Sequence, residues 1–354
     1  MENILDYCTI SGKSVKKYEG TKRYVATGDV IENKIINFSE VDYMNKPSRA
    51  NQIAKVGDLL FAKMKETKKV IKIDEENSKN IYSTGFCVIR PNEGILTDYI
   101  YWVLNSPKFN RDKDRNCKGA TQKALNNDGL KKIKINKIPD IVEQQKIVSK
   151  LNKINKIITK KKKQLNILDE LVKSQFVEMF GNIYFNNRKW NKNKWGDVLI
   201  IKNGKNQKKV ESFNGKYPIY GSGGIIGFAN DYICNENSII IGRKGSINKP
   251  ILVKTKFWNV DTAFGLEPIK EKIKADYLYY FCCFYNFEKH NKAVTIPSLT
   301  KKDLLNIVIP VPPITLQNQF SEIVKQIDKQ KFEIEKSLKE TQELYESLME
   351  KYFG

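Results

Sequence analysis

Asp58, Glu66 and Lys68 are the residues of this chain whose types and order could do chemistry. An aspartate followed by Glu-x-Lys is the order of a metal-dependent nuclease core, in which carboxylates hold Mg²⁺ and a lysine stands beside the attacking water. In a chain this rich in Glu and Lys, the order also arises by chance. The matching stretch of the second half carries Gly245 and Ser246 and no acid-x-Lys pair. A Mg²⁺-dependent DNA nuclease is therefore an alternative hypothesis and not the main one.

Other catalytic chemistries find little support in the sequence. The chain has one histidine, His290, in a Lys- and Asn-rich stretch, whereas Ser-His, Cys-His and HExxH sites need imidazole at a defined place. The glycine-rich "GSGGIIG" at 221–227 lacks the GK[ST] ending of a P-loop and has Ile226 where GxGxxG requires glycine. The six cysteines show no CxxC spacing. We expect no catalytic residue, no cofactor and no metal site.

The charge of the chain indicates a polyanionic partner. Its 62 basic and 40 acidic residues give a formal net charge of +22, which favours nucleic acid. Only seven of the basic residues are Arg, and a lysine-rich, arginine-poor composition is also what an AT-rich genome produces. No apolar run approaches the roughly 20 residues that span a bilayer, and the first residues do not form a signal peptide. We expect a cytoplasmic protein.

The chain repeats itself at an offset of 173 residues. The segment "IPDIVEQQKIVSKLNKI" at 138–154 aligns with "VPPITLQNQFSEIVKQI" at 311–327. The alignment continues without a gap to Phe180-Gly181, which matches Phe353-Gly354. Because these matches share one spacing, they indicate an internal duplication.

Both copies of this repeat predict a long helix. Their apolar positions alternate steps of three and four, which is the seam of a coiled coil, and each helix is preceded by a proline. The first seam is Ile147, Leu151, Ile154, Ile158, Leu165, Leu168, Val172 and Met179. The second is Phe320, Val324, Ile327, Ile334, Leu338, Leu344, Tyr345, Leu348 and Tyr352. We expect these side chains to pack and not to catalyse.

The two helices are expected to pair with each other. Residues 144–181 hold nine Lys against three acids, a net charge of +6, while residues 317–354 hold six Lys against eight acids, a net charge of −2. Opposite charges favour pairing, although exposed pairs stabilise by fractions of a kcal/mol each. The run from Lys160 to Lys163 can equally be a solvated face. A helix of about 36 residues is about 54 Å long, so an antiparallel pair would act as a ruler between two heads.

The segments before the two helices repeat as well. "GKSVKKYE" at 12–19 answers "GKNQKKVE" at 204–211, and "DYIYW" answers "DYLYY". Each block contains short strands and one amphipathic helix. The predicted class is α/β (α+β), with two similar globular domains and two long helices in an antiparallel coiled coil. The predicted domains are a first block at 1–138, a central helix at 139–181, a second block at 182–311 and a C-terminal helix at 312–354.

Two basic heads at a fixed separation suit the two half-sites of a DNA target. The candidate contact residues lie in loops rich in glycine, lysine and amide side chains. Arg243 could pair with guanine, and Gln122 or Gln207 with adenine. The other candidates are Lys16, Lys17, Lys63, Lys65, Thr121 and Lys123 in the first block and Lys208, Lys209, Tyr220, Ser222, Lys244 and Ser246 in the second. Any single lysine among them is more often solvent-facing than base-reading.

Over essentially its whole length, the chain resembles the specificity subunit of a type I restriction-modification system. The resemblance is carried by "VPPITLQNQFSEIV", "YPIYGSGGIIGFANDY" and "GATQKALNNDGLKKIKI" and by the closing "FG" of each helix. It implies that each block is a target recognition domain for one half of a split DNA sequence. It also implies that the helices set the spacer and dock two methyltransferase subunits and, through them, the restriction and translocase subunits. The specificity subunit itself is not an enzyme. The chain departs from the pattern at Asp140, where the second copy has Pro313.

Three hypotheses remain open from the sequence. The favoured one is a non-catalytic DNA-specificity module. The second is the nuclease built on Asp58, Glu66 and Lys68, which would cut DNA by itself with Mg²⁺. The third is a coiled-coil scaffold whose basic charge is incidental, which would bind partners without selecting a DNA sequence.

Overall fold

The chain forms two compact units, which we describe from a computed structural model covering residues 1–291 and 298–354. Unit 1 contains residues 1–161 and 337–354, and unit 2 contains residues 162–336. Each unit therefore holds one block and one segment of each long helix. None of the helices formed by the described residues is both long and apolar enough to cross a membrane.

Unit 1 is built from short strands, three short α-helices and a segment of each long helix. Its strands are β1 (Glu2–Asn3), β2 (Cys8–Ile10), β3 (Thr21–Val25), β4 (Val30–Ile31), β5 (Lys34–Ile35), β6 (Ser39–Asp42), β7 (Ala50–Gln52), β8 (Leu59–Ala62), β9 (Val70–Lys72), β10 (Ile81–Ser83), β11 (Phe86–Pro91) and β12 (Lys134–Ile135). Its helices are α1 (Thr97–Asn105), α2 (Pro107–Asn116), α3 (Asn127–Leu130) and the first part of α4 (Ile141–Phe180).

Unit 2 follows the same plan. Its strands are β13 (Asn191–Lys194), β14 (Leu199–Asn203), β15 (Tyr217–Gly221), β16 (Gly224–Ala229), β17 (Ser238–Gly242), β18 (Ile251–Val253), β19 (Trp258–Asn259), β20 (Ala263–Pro268) and β21 (Val308–Val311). Its helices are α5 (Trp195–Val198), α6 (Ala275–Phe284), α7 (Lys301–Leu305) and the first part of α8 (Ile314–Phe353). The second part of α4 belongs to unit 2 and the second part of α8 to unit 1.

The two units share one topology. A four-stranded sheet has the order β2-β11-β8-β9 in unit 1 and β14-β20-β17-β18 in unit 2. In a second sheet, β3 pairs antiparallel with β6 and parallel with β10, as β15 does with β16 and β19. A two-stranded sheet joins β1 to β12 and β13 to β21. The predicted repeat and the mixed α+β class are confirmed.

One expectation about the blocks is wrong. The sequence predicts a single amphipathic helix in each block, but unit 1 has a second one, α2, directly after α1. Ser106 ends α1 and its Oγ accepts a hydrogen bond from Phe109 N at 3.1 Å, which caps α2, and Pro107 occupies the first helical position. The repeat match that pairs "ATQKA" with residues 293–297 lies outside the described residues.

The long helices pair antiparallel within each unit, as predicted, and each has 40 residues. In unit 1 the Lys161 Nζ atom donates to Ser337 O at 2.8 Å and to Thr341 Oγ1 at 2.9 Å. In unit 2 Lys331 pairs with Asp169. A lysine from the "KKKK" run is thus part of the helix contact and not only of a solvated face.

Seven of the seventeen predicted seam residues are buried and nine are half-buried, and one was placed wrongly. Leu344 leaves 52% of its surface exposed, because Tyr345, Leu348 and Met349 take the inward positions of that turn. Phe176 is fully buried, although the sequence analysis left it out of the seam. Three-and-four stepping alone does not decide which residues of a turn face inward. In α8 the position is taken by Tyr345, whose ring lies 6.0 Å from Trp102 of α1.

A buried glutamine attaches each helix to its block. Gln144 Oε1 accepts from Leu96 N at 2.9 Å, the amide at the start of α1, while its Nε2 donates to Gly94 O and Pro139 O at 3.2 and 2.9 Å. Gln317 makes the same three bonds in unit 2, accepting from Lys274 N at the start of α6 at 2.8 Å. Each glutamine thereby satisfies a backbone donor that α1 or α6 leaves open.

The matching Phe-Gly pairs close the same arrangement. In unit 1 the Phe353 ring lies 5.4 Å from Tyr99 of α1, and in unit 2 the Phe180 ring lies 4.7 Å from the equivalent Tyr277 of α6, both edge to face. Gly181 has a φ of +79°, which favours glycine, and its N–H bonds to Val177 O. Each block thus holds the start of one helix and the end of the other.

Replacing the buried amide should weaken unit 1. In Gln144→Met, Leu96 N, Gly94 O and Pro139 O lose their partner, and each unsatisfied buried group costs about 1–3 kcal/mol. We expect the free energy of unfolding, measured by urea titration, to fall by about 2–4 kcal/mol. Gln145→Met at the neighbouring exposed position is the control and should change it little. Equal stability of the two variants would contradict the attachment.

Candidate nucleic-acid interface

Two of the predicted contact segments of unit 1 meet at the end of strand β8. Lys65 N donates to Lys123 O at 3.0 Å, and Leu125 N donates to Lys63 O at 2.8 Å. Lys65, Gln122 and Lys123 are exposed, as is Thr121, while Lys63 is half-buried. The structure therefore brings together the segments 63–65 and 121–125, which are far apart in sequence, as one basic and amide-bearing surface. We call it the unit 1 loop surface.

A buried lysine supports this surface from below. Lys113 of α2 is 1% exposed, and its Nζ donates to Met64 O at 3.2 Å and to Thr67 O. Burial lowers the pKa of Lys113 below its ordinary value, and Asp114 partly offsets that shift. The bonds fix the turn between β8 and β9. The sequence analysis did not find this role, because a single lysine in "RDKDRN" has no distinguishing pattern.

Arg49 is a second residue that the sequence analysis missed. It is exposed, and its Nη2 reaches Gln122 Oε1 at 3.5 Å, so it belongs to the unit 1 loop surface. The available signal was its type, since only seven residues of the chain are Arg. Lys16 and Lys17 are exposed on a neighbouring segment, which is held where Val15 N donates to Asn51 Oδ1 at 3.3 Å.

The corresponding strand end of unit 2 carries Arg243 and Lys244. Both are exposed, and both backbone N–H groups donate to Thr262 O, at 2.8 and 3.3 Å. Leu299 N donates to Arg243 O at 2.9 Å, as Leu125 N does to Lys63 O in unit 1. The Arg243 guanidinium stands 5.8 Å from the Phe264 ring centre. Predicted residues therefore occupy the same strand end in both units.

The tip of the hairpin β15–β16 lies against this strand end. A side chain at Gly242 would come within 3.2 Å of Ser222 Cβ and within 2.6 Å of Ser246 O, so these predicted residues are neighbours. Tyr220 is half-buried with its ring 5.6 Å from Phe257, and burial raises the pKa of its hydroxyl, which stays protonated. We call the surface formed by Ser222, Arg243 and Lys244 the unit 2 loop surface.

Gln207, Lys208 and Lys209 lie beside the other end of the hairpin. Gln207 is half-buried in a turn and its carbonyl accepts from Val210 N at 2.9 Å, while both lysines are exposed. Glu211, two residues after Lys209, forms an isolated antiparallel β-bridge with Ala229 at the base of the hairpin. These three residues are therefore separated from Ser222 by the length of the hairpin.

The proposed nuclease residues do not converge. Asp58 is 1% exposed at the start of β8, where its carboxylate accepts from Arg90 Nε at 2.7 Å and from Lys55 N at 2.8 Å. Glu66 lies in the turn after the other end of β8, and four residues of strand, about 13 Å, separate the two ends. Within the described residues, no group of three His, Cys, Asp or Glu side chains could hold a metal ion. Asp58 acts as a structural partner of Arg90.

Two repeated units, each ending a four-stranded sheet in a basic loop surface, are the arrangement expected of a nucleic-acid recognition protein. Residues 4–168 and 187–344 each match the family described as the type I restriction modification DNA specificity domain. The chain belongs to this family and contains two copies of its domain.

Relatives of known name agree with the family. The chain is 26% identical to the type I restriction enzyme MjaIX specificity subunit of Methanocaldococcus jannaschii, over 70% of this chain and 66% of that protein. It is 24% identical to the type I restriction enzyme HindI specificity subunit of Haemophilus influenzae, over 44% of this chain and 35% of that protein. A further protein of M. jannaschii, described as the MjaX specificity subunit, is 22% identical over 89% of this chain and 84% of its own length.

Two solved structures share the fold. The S subunit of a type I restriction-modification system from M. genitalium superposes with a TM-score of 0.64 at 17% identity, over all of this chain and 95% of that one. A chain from a structure of the type I R-M system superposes with a TM-score of 0.59 at 20% identity, over 99% of this chain and 96% of that one.

Removing the Asp58 carboxylate should lower the stability of the protein. We expect no DNA cleavage from the chain either with or without that carboxylate. In Asp58→Ala the Lys55 N–H and the Arg90 guanidinium lose their acceptor, and we expect the free energy of unfolding to fall by about 1–3 kcal/mol. The measurements are a thermal melt and incubation of the purified chain with plasmid DNA and Mg²⁺. Glu66→Ala, at an exposed position, is the control. Mg²⁺-dependent cutting that Asp58→Ala abolishes in a folded protein would restore the nuclease hypothesis.

Proposed function

We propose that this chain is the DNA-specificity subunit of a type I restriction-modification complex, in which each block reads one half of a bipartite target. The observation that carries the proposal is the repeated strand end. Lys63 in unit 1 and Arg243 in unit 2 stand on the same scaffold position. The residues beside them come from different loops, Gln122 in unit 1 and Ser222 in unit 2, so the two strand ends present different donors and acceptors. Side chains that contact base edges specify sequence, while neighbouring lysines contact phosphates.

The remaining parts of the chain take roles that follow from this reading. We take residues 1–138 and 182–311 as the two target recognition domains, and 139–181 and 312–354 as the spacer helices. The helices set the separation of the half-sites and dock the methyltransferase subunits, two in number because the chain has two equivalent units. The restriction and translocase subunits join through that assembly. The chain itself contributes no catalytic residue, and the methyl transfer and cleavage belong to its partners.

Deleting the gene tests this function directly. Long-read sequencing that detects modified bases should show that the source strain loses methylation at one split motif, and that a plasmid copy of the gene restores it. A methylome that is unchanged by the deletion, in a strain whose methyltransferase subunit is expressed, would contradict the proposal.

The loop surfaces should also set the salt dependence of DNA binding. Each lost phosphate contact reduces the slope of log affinity against log salt by about 0.9 for duplex DNA. We therefore expect Lys65→Ala and Lys123→Ala, assembled with the methyltransferase subunits, each to make this slope shallower than that of the wild type by about 0.9. The slopes are measured by fluorescence-anisotropy titrations.

Lys55→Ala is the matched control for these two variants. Lys55 is exposed at the opposite end of β8, next to Asp58, and its removal should leave the slope unchanged. Equal slopes for all three variants would remove the unit 1 loop surface from the interface.

A further inference from the structure

Two adjacent isoleucines stand exposed near the tip of the hairpin β15–β16. Ile225 and Ile226 leave 56% and 55% of their surfaces exposed, and Phe228 on the same strand leaves 47%. Scattered exposed apolar residues are ordinary, but several together on one short strand mark an interaction site.

A bulge produces the double exposure. Ile219 pairs with Gly227 and Tyr220 pairs with Ile225, so Ile226 has no residue opposite it. In a regular strand, consecutive side chains point to opposite faces, and one of the two isoleucines would turn inward. The extra residue breaks this alternation, and bulges are frequent beside functional sites because they redirect side chains.

The equivalent strand of unit 1 provides an internal comparison. β6 pairs with β3 as β16 pairs with β15, yet it reads Ser39, Glu40, Val41 and Asp42. An acidic strand occupies the same place in the same topology, so the sheet does not require an apolar pair there. The exposed isoleucine pair is therefore a feature of unit 2 and not of the shared fold.

The surroundings of the pair fit DNA. Residues 218–230 contain no charged side chain, and the hairpin tip adjoins the exposed Arg243 and Lys244 through the contact of Ser222 with Gly242. Glu211 is an acid that faces the hairpin, and its carboxylate lies against Gly227, next to Ile226 and on the base side of the isoleucine pair. An uncharged apolar tip with cations beside it complements a groove in which methyl groups lie between phosphates.

We propose that Ile225 and Ile226 recognise a thymine by contact with its C5-methyl group in the major groove of the half-site read by unit 2. The assignment rests on the proposed function and adds to it a base class and the residues that read it. A two-stranded ribbon fits the major groove, and thymine is the base that presents a methyl group there, which apolar side chains contact. Arg243, beside the tip of the same hairpin, is placed to bind guanine or a phosphate next to that A·T pair.

Deoxyuridine tests the contact because it lacks only the C5-methyl group. Once the methylome gives the target, duplexes are made in which each thymine of the two half-sites is replaced in turn by deoxyuridine. The full chain assembled with its methyltransferase subunits should bind one such duplex about fourfold more weakly, which corresponds to the loss of one buried methyl group. The sensitive thymine should lie in the half-site that unit 2 reads.

The variant Ile225→Ala/Ile226→Ala should bind the thymine and deoxyuridine duplexes equally. The ratio of the two affinities is measured within one protein preparation, so a change in overall folding does not alter it. Ile200→Ala is the control, since Ile200 is 51% exposed and pairs with Glu267, at the other end of β20 from Arg243. It should keep the fourfold difference.

The proposal is overturned if the wild-type complex tolerates deoxyuridine at every position, if the double alanine variant keeps the sensitivity, or if Ile200→Ala loses it. A unit 2 half-site without an A·T pair would overturn it as well. Failure of the proposed function is a separate result, since it would appear earlier, as a methylome that does not depend on the gene.

Discussion

The attachment of each long helix to a globular block through one buried glutamine is the interaction on which the rest of the structure depends. A glutamine amide can accept two hydrogen bonds and donate two, and Gln144 and Gln317 each accept one and donate two. The three partners come from two separate segments of chain, so the side chain fixes both the position and the angle of the helix start. A fully satisfied buried polar group of this kind specifies one arrangement, because any other leaves it unpaired.

The helix ends complete the attachment. Phe353 and Phe180 pack on equivalent tyrosines of α1 and α6, so each block needs the start of one helix and the end of the other. Because every block requires both helices, neither half of the chain contains a whole unit of its own. The duplication therefore has a structural consequence: each unit is completed by one helix segment from each half of the chain.

The same scaffold then presents different chemistry in its two copies. The strand ends after β8 and β17 hold their loops by equivalent backbone bonds, Leu125 N to Lys63 O and Leu299 N to Arg243 O. Backbone bonds do not depend on side-chain identity, so the exposed residues can change while the geometry stays. A DNA-specificity domain needs this division, because its targets differ while its assembly does not.

Much of this was predictable from the sequence, and the rest was not for physical reasons. Repeats and three-and-four stepping predicted the two blocks, the helices and their antiparallel pairing. The match of Gln144 with Gln317 was visible, but its meaning was not, since its partners Leu96 and Lys274 lie more than 40 residues away. Arg49 and Lys113 were missed for the same reason, as their roles arise from contacts between distant segments. Leu344 was placed in the seam because stepping alone cannot choose among phases.

Asp58 illustrates the opposite error. Its spacing to Glu66 and Lys68 imitates a metal site in one dimension, while the strand between them keeps Asp58 and Glu66 apart in three. A spacing motif carries chemistry only when the local structure folds its members together.

The most direct test of the account is whether altering one loop surface changes only one half of the target. Methylomes are compared for strains that carry Arg243→Ala/Lys244→Ala or Lys63→Ala/Lys65→Ala in the intact chain. The account predicts that the first variant relaxes or loses specificity in one half of the split motif, that the second does so in the other half, and that the spacer length stays the same in both. Changes in the same half, or in both halves at once, would contradict it.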